Sequence, residues 1–122
     1  NKRIMWVEDD KLLSTILTRK INSQGYTLLK AVNGDEAAKI LSTEIPDIII
    51  LDIMLPGISG IDILQNIKKN PNVDKVPVIM LSNLNKEEDI KKAKTLGANL
   101  FLVKATGSLD EIIKEAEKLM HR

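Results

Sequence analysis

Residues 47–52 read DIIILD, four consecutive aliphatic side chains closed by an aspartate. A strand with water on one face alternates apolar and polar residues, whereas an unbroken apolar run needs both faces covered. Two other runs share this character, IMWV at 4–7 and VIML at 78–81. Each ends in polar chemistry: Asp52 closes the first quoted run, Glu8 and Asp9 the second, and Ser82 the third. A further apolar run, NLFLV at 99–103, ends in Lys104. These polar ends suggest one carboxylate-rich pocket with a hydroxyl and an ammonium at its rim.

Helix-period segments separate the runs. Strands are expected at Arg3–Glu8, Tyr26–Ala31, Asp47–Leu51, Val76–Leu81 and Asn99–Val103, the second of them mixed in character like an edge strand. A first helix follows from Leu13, Ile16, Leu17 and Ile21, with Gly25 after its end. A second starts near Asn33, runs through Ala37, Ala38 and Leu41, and stops at Ile45-Pro46, because the residue before proline disfavours helix. A third follows Ser59 or Gly60, with Ile61, Leu64 and Ile67 on one face. The fourth is expected to be capped by Asn85 and closed by Gly97. The fifth opens with the capping-box pattern Ser108 to Glu111 and turns Ile112, Ile113, Ala116 and Leu119 inward.

Strands alternating with helices require right-handed crossovers and a parallel sheet. The predicted fold class is therefore α/β, a doubly wound five-stranded parallel sheet. Such sheets bind ligands beyond the carboxyl ends of their strands, where the polar set falls.

Composition narrows the chemistry. At 122 residues the chain suits one domain with a real core, and no repeat or linker divides it, so 1–122 is expected to be a single domain, either stand-alone or excised from a longer protein. The net charge of +1 gives no support for a nucleic-acid or membrane footprint. Cysteine is absent, which excludes thiol catalysis and cysteine metal sites. The single histidine, His121, sits near the C-terminal end, so a histidine base or multi-histidine zinc site is not expected. No apolar run has membrane-spanning length, and Ile4–Val7 is too short for a signal peptide; a cytoplasmic protein is expected.

VEDD at 7–10, IIILDIMLPGISGID at 48–62, VIMLSN at 78–83 and FLVKA at 101–105 together resemble the motifs of response-regulator receiver domains, over nearly the whole chain. The resemblance implies a flavodoxin-like sheet with strand order 2-1-3-4-5. It also implies that Asp52 is a phosphoacceptor, an aspartate whose carboxylate attacks phosphorus to form an acyl phosphate. Glu8 and Asp9 match the acidic pair that binds Mg²⁺ or Mn²⁺, and hard oxygen ligands suit such ions. By resemblance Asp9 is the more direct ligand, Glu8 acts through water, and the backbone carbonyl of Met54 joins them. Asp10 rivals both acids, but its reading as the cap of the first helix is preferred. Lys104 matches the phosphoryl-contacting lysine, Ser82 the switching hydroxyl and Phe101 the aromatic switch position. Phenylalanine keeps that ring without a hydroxyl.

Four positions stand out against the family pattern. Ala105 follows Lys104 where a proline is usual, and a cis bond before alanine costs about 2.5–4 kcal/mol. The Lys104–Ala105 loop is then trans or strained, with Gly107 able to absorb unusual geometry. Met54 and Leu84 occupy the two dephosphorylation-tuning positions, and neither side chain can orient a water or act as a base. Slow self-dephosphorylation is therefore expected. Trp6 is uncommon on such a strand and is read as core packing.

The leading expectation is a two-component phosphorylation switch rather than an enzyme. Its partner is a sensor histidine kinase or phosphotransfer protein, and its output face comprises the fourth helix, last strand and fifth helix (residues 85–98 and 102–120), through which it binds targets or forms a homodimer. The alternative is a receiver-like interaction module that makes no use of phosphorylation, with Ala105 as the hint. A phosphohydrolase with an aspartyl-phosphate intermediate is disfavoured, because Met54 offers no general acid and no insertion can form a cap.

Overall fold

The computed structural model describes residues 2–82, 86–104 and 109–121. Five parallel strands form one sheet in the order β2-β1-β3-β4-β5. They are β1 (Arg3–Val7), β2 (Thr27–Ala31), β3 (Ile48–Asp52), β4 (Val78–Ser82) and β5 (Leu100–Val103). The helices between and after them are α1 (Lys11–Ser23), α2 (Gly34–Thr43), α3 (Gly60–Lys69), α4 (Glu87–Thr95) and α5 (Leu109–Met120). This is the expected doubly wound architecture and strand order, with the mixed segment β2 at an edge.

The apolar runs occupy the three central strands because only there are both faces covered. Ile4, Trp6, Ile48, Ile50, Ile79 and Leu81 pack beneath α1 and α5, against Leu17, Ile21, Ile112, Ile113 and Ala116. Met5, Val7, Ile49, Leu51, Val78 and Met80 face the other layer, meeting Ala37, Ile63, Leu64, Ile67 and Ala93 of α2, α3 and α4. A fully buried aliphatic side chain contributes roughly 2 kcal/mol, so this double core can carry a costly polar site at its edge. Trp6 is fully buried, as its packing role requires. Its indole N–H meets no acceptor among the described residues.

Element ends follow local chemistry. Asp10 caps α1, its side chain accepting from the Leu13 N–H at 3.1 Å. Asn33 caps α2 by accepting from Glu36 N–H, while Glu36 Oε1 accepts from Val32 N–H. Ser59 caps α3 by accepting from Asp62 N–H. Gly25 and Gly97, following α1 and α4, both hold positive φ, at 83° and 99°, which side chains rarely tolerate. Helix α4 starts one residue later than expected, with Lys86 in the cap position and no side-chain cap bond. Lysine offers no acceptor for such a bond; Glu87, Glu88 and Asp89 instead place negative charge at the helix's positive end. Asn85 and Ser108, the expected cap and capping-box residue, lie outside the described residues, as does Gly107.

Candidate functional site

Parallel pairing aligns the strand ends that the sequence closes with polar residues. Val7 pairs with Leu51 and Asp52 with Leu81, so Glu8 and Asp9 emerge beside Asp52 at one edge of the sheet. Ser82 pairs with Val103, and the Lys104 N–H donates to the Ser82 carbonyl at 2.8 Å. Lys104 therefore leaves β5 aimed back over the sheet's carboxyl edge.

There its ammonium is shared. Lys104 Nζ donates to Glu8 Oε1 at 2.5 Å and to Asp52 Oδ2 at 2.6 Å. The other Asp52 oxygen, Oδ1, accepts from the Met54 N–H at 3.2 Å. Glu8 and Asp52 are buried, and Asp9 is exposed. Carboxylate oxygens of all three lie within 4.8 Å of one another. Burial pushes the Glu8 carboxyl above its ordinary range; the Lys104 hydrogen bond pulls the other way, and the nearby Asp52 charge adds to the rise. For Lys104, burial works to lower the ammonium, but hydrogen bonds and charge from Asp52 and Glu8 outweigh it and hold the group above its ordinary value.

These residues line an open cleft of about 620 Å³. Asp10, Leu13, Met54, Leu55, Pro56 and Ser59 complete much of its wall. Clustered hard oxygen donors around a charge deficit fit Mg²⁺ or Mn²⁺, which are held by few carboxylates. The sequence-predicted Glu8, Asp9, Asp52, Met54 and Lys104 thus come together. Ser82 is buried at the end of β4 and is not part of the cleft wall. Phe101 is half-buried on the α4 side, where it lines a separate groove with Ile90, Ala93 and Lys94. Leu84 and Ala105 lie outside the described residues, and so therefore does the geometry of the Lys104–Ala105 bond.

Sequence reasoning did not find the Lys104–Glu8 pair, because nothing along the chain relates two residues on strands that do not adjoin. It also missed Gly60. A Cβ on that residue would overlap the Asp52 carbonyl, and its N–H donates to the Ile53 carbonyl at 2.9 Å. A glycine at a helix start was the available signal.

The sheet order, the acidic cleft and the lysine across it define a receiver-type α/β protein. Residues 4–117 match the family model described as the response regulator receiver domain, and the chain belongs to that family. It is 32% identical over 120 residues to the phosphate regulon transcriptional regulatory protein PhoB of Rhizobium meliloti, covering 98% of this chain and 52% of that protein. The chain thus spans about half the length of this curated relative. Among solved structures, it resembles the receiver domain of the Francisella response regulator 1452, with TM-score 0.89, 30% identity, and coverage of 100% of this chain and 98% of that one. It also resembles the Mn²⁺-bound form of response regulator Rcp1, with TM-score 0.80, 26% identity, and coverage of 98% and 91%. Receiver domains are signalling modules of two-component systems. Among the described residues, no helix is long and apolar enough to cross a membrane.

Proposed function

We propose that residues 1–122 act as one receiver domain in which Asp52 accepts a phosphoryl group from a partner histidine kinase or phosphotransfer protein. The observation that supports this most is Lys104, whose ammonium stands 2.6 Å from Asp52 Oδ2 while Met54 N–H holds Oδ1. The acceptor carboxylate is thereby oriented, and a cation already waits where phosphoryl oxygens would arrive.

An Asp52 carboxylate oxygen attacks phosphorus of the donor phosphohistidine. The P–O bond forms, the P–N bond breaks, and the imidazole leaves with the electron pair and takes up a proton. Lys104 then exchanges a carboxylate oxygen for a phosphoryl oxygen, and Ser82, buried at the end of β4 before activation, turns toward the phosphoryl group to donate its hydroxyl hydrogen to another. Glu8, Asp9, Asp52 and the Met54 carbonyl would hold Mg²⁺ or Mn²⁺, which supplies neutralisation of the phosphoryl charge when bound. The Mn²⁺-bound state of the similar Rcp1 supports that assignment. Phe101 and the α4–β5–α5 face carry the signal outward, to a target or a second copy. Met54, two residues after Asp52, and Leu84, two residues after Ser82, offer no side-chain group to position water, so the phosphorylated state decays over minutes or longer rather than seconds.

Intact mass after incubation with acetyl phosphate and Mg²⁺ tests this, with Asp52→Ala as control. One added phosphoryl group in the parent, none in the variant, and loss of uptake with chelator are expected. Phosphoryl uptake by Asp52→Ala would displace Asp52 as acceptor. No uptake from either acetyl phosphate or a phosphorylated kinase would favour the phosphorylation-independent interaction module.

A further inference from the structure

The fold treats the four methionines of this chain unequally. Met5 and Met80 are fully buried, Met120 is 8% exposed, and Met54 is 65% exposed. Met54 also lines the cleft that holds Glu8, Asp9, Asp52 and Lys104. Its backbone is tied to Asp52 by the 3.2 Å hydrogen bond, while its side chain stands in solvent at the cleft mouth. No cysteine competes for oxidants. A thioether that water reaches is reached by peroxide as well.

We propose that Met54 is an oxidation site through which hydrogen peroxide shortens the life of the phosphoryl group on Asp52, an inference that rests on Asp52 being the acceptor. The sulfur lone pair attacks one peroxide oxygen, so an S–O bond forms and the O–O bond breaks. Sulfur is oxidised by two electrons, and the departing oxygen, after proton transfer, leaves as water. The product sulfoxide puts a strong hydrogen-bond acceptor where the thioether was a poor one. An acceptor beside an acyl phosphate can hold and orient a water for attack at phosphorus, which the parent side chain cannot do. Sulfoxide reductases restore the thioether, so the device is reversible.

The folded protein would be exposed to hydrogen peroxide, quenched and mapped by peptide mass. Met54 is expected to gain one oxygen at least about tenfold faster than Met5, Met80 or Met120. Oxidised and unoxidised protein would then be loaded from acetyl phosphate and Mg²⁺ and followed by mass. Decay at least about threefold faster is expected after oxidation, reversed by sulfoxide reductase and absent from Met54→Leu. Oxidation of Met120 as fast as Met54, or unchanged decay after selective Met54 oxidation, overturns the proposal. Unoxidised protein that takes up no phosphoryl group from acetyl phosphate or from a phosphorylated kinase overturns the functional assignment itself and the hydrolysis effect with it, a result the oxidation map distinguishes from a failure of Met54 selectivity.

Discussion

Desolvating a carboxylate costs several kcal/mol, and the cleft buries two of them, Glu8 and Asp52, around one shared ammonium. Asp9 adds a third negative charge from an exposed position within 4.8 Å. Without a divalent cation, three clustered carboxylates share the single Lys104 ammonium, which leaves an excess of negative charge. Asp9→Asn is therefore expected to raise the thermal midpoint of the metal-free protein by about 2 °C. If the proposed cation site holds, Mg²⁺ is expected to raise the parent's midpoint further, since binding to the folded state alone stabilises it, and the same change should abolish most of that rise. Melting curves with Mg²⁺ and with chelator check both halves; an equal Mg²⁺ response in parent and variant would remove Asp9 from the cation site. At this scale the sequence was informative about which side chains gather, because each ends an apolar run. It was silent on how Lys104 divides itself between Glu8 and Asp52, which depends on distances across three strands.

The start of α3 leaves no room for a side chain against the end of β3. Helix propensity alone favours alanine over glycine by roughly 1 kcal/mol, so Gly60→Ala on an open helix would stabilise. Here the added Cβ meets the Asp52 carbonyl and the Ile53 Cα. The expected outcome is the opposite sign, a loss of about 2 kcal/mol in denaturant unfolding, together with weaker phosphoryl uptake as the β3 end shifts. Unchanged stability would show that the loop yields freely. The strands themselves were legible to within a residue or two, and the misses have local causes. β4 starts at Val78 rather than Val76, because Pro77 has no N–H to donate. Asp52 and Ser82 belong to their strands instead of following them, since each still pairs with a neighbouring strand. Hydrogen-bond register decides such ends, and side-chain polarity does not report it.

Across the whole molecule, cross-links tie α5 to the α1–β2 region. Lys20 on α1 pairs with Asp110 on α5 at 2.9 Å, and Tyr26 Oη, just before β2, donates to Glu117 Oε2 at 2.6 Å. The hydrogen bond to Glu117, assisted by burial and by that residue's charge, pushes the Tyr26 phenol above its ordinary 10.0. The sign follows: a raised folded-state pKa means a contribution complete below 10.0 and lost as pH climbs through the raised value. Tyr26→Phe should cost about 1 kcal/mol near neutrality, and the gap between parent and variant should close at higher alkalinity. Paired unfolding curves across that range check it; a gap independent of pH would assign the loss to packing. The layered architecture was legible because unbroken apolar runs require cover on both faces. These long-range fastenings were not, since Tyr26 and Glu117 carry no pattern that links them.

Trp6, the chain's only tryptophan, lies two residues from Glu8 on β1, and its ring is sealed from water. The consequence is optical. An excited indole in a dry, rigid surround finds no solvent dipoles to relax it, so it emits at the blue end of its range, and unfolding moves that emission to the red. The molecule thus carries its own lamp beneath the acidic cleft, coloured by the integrity of the core on which that cleft is built.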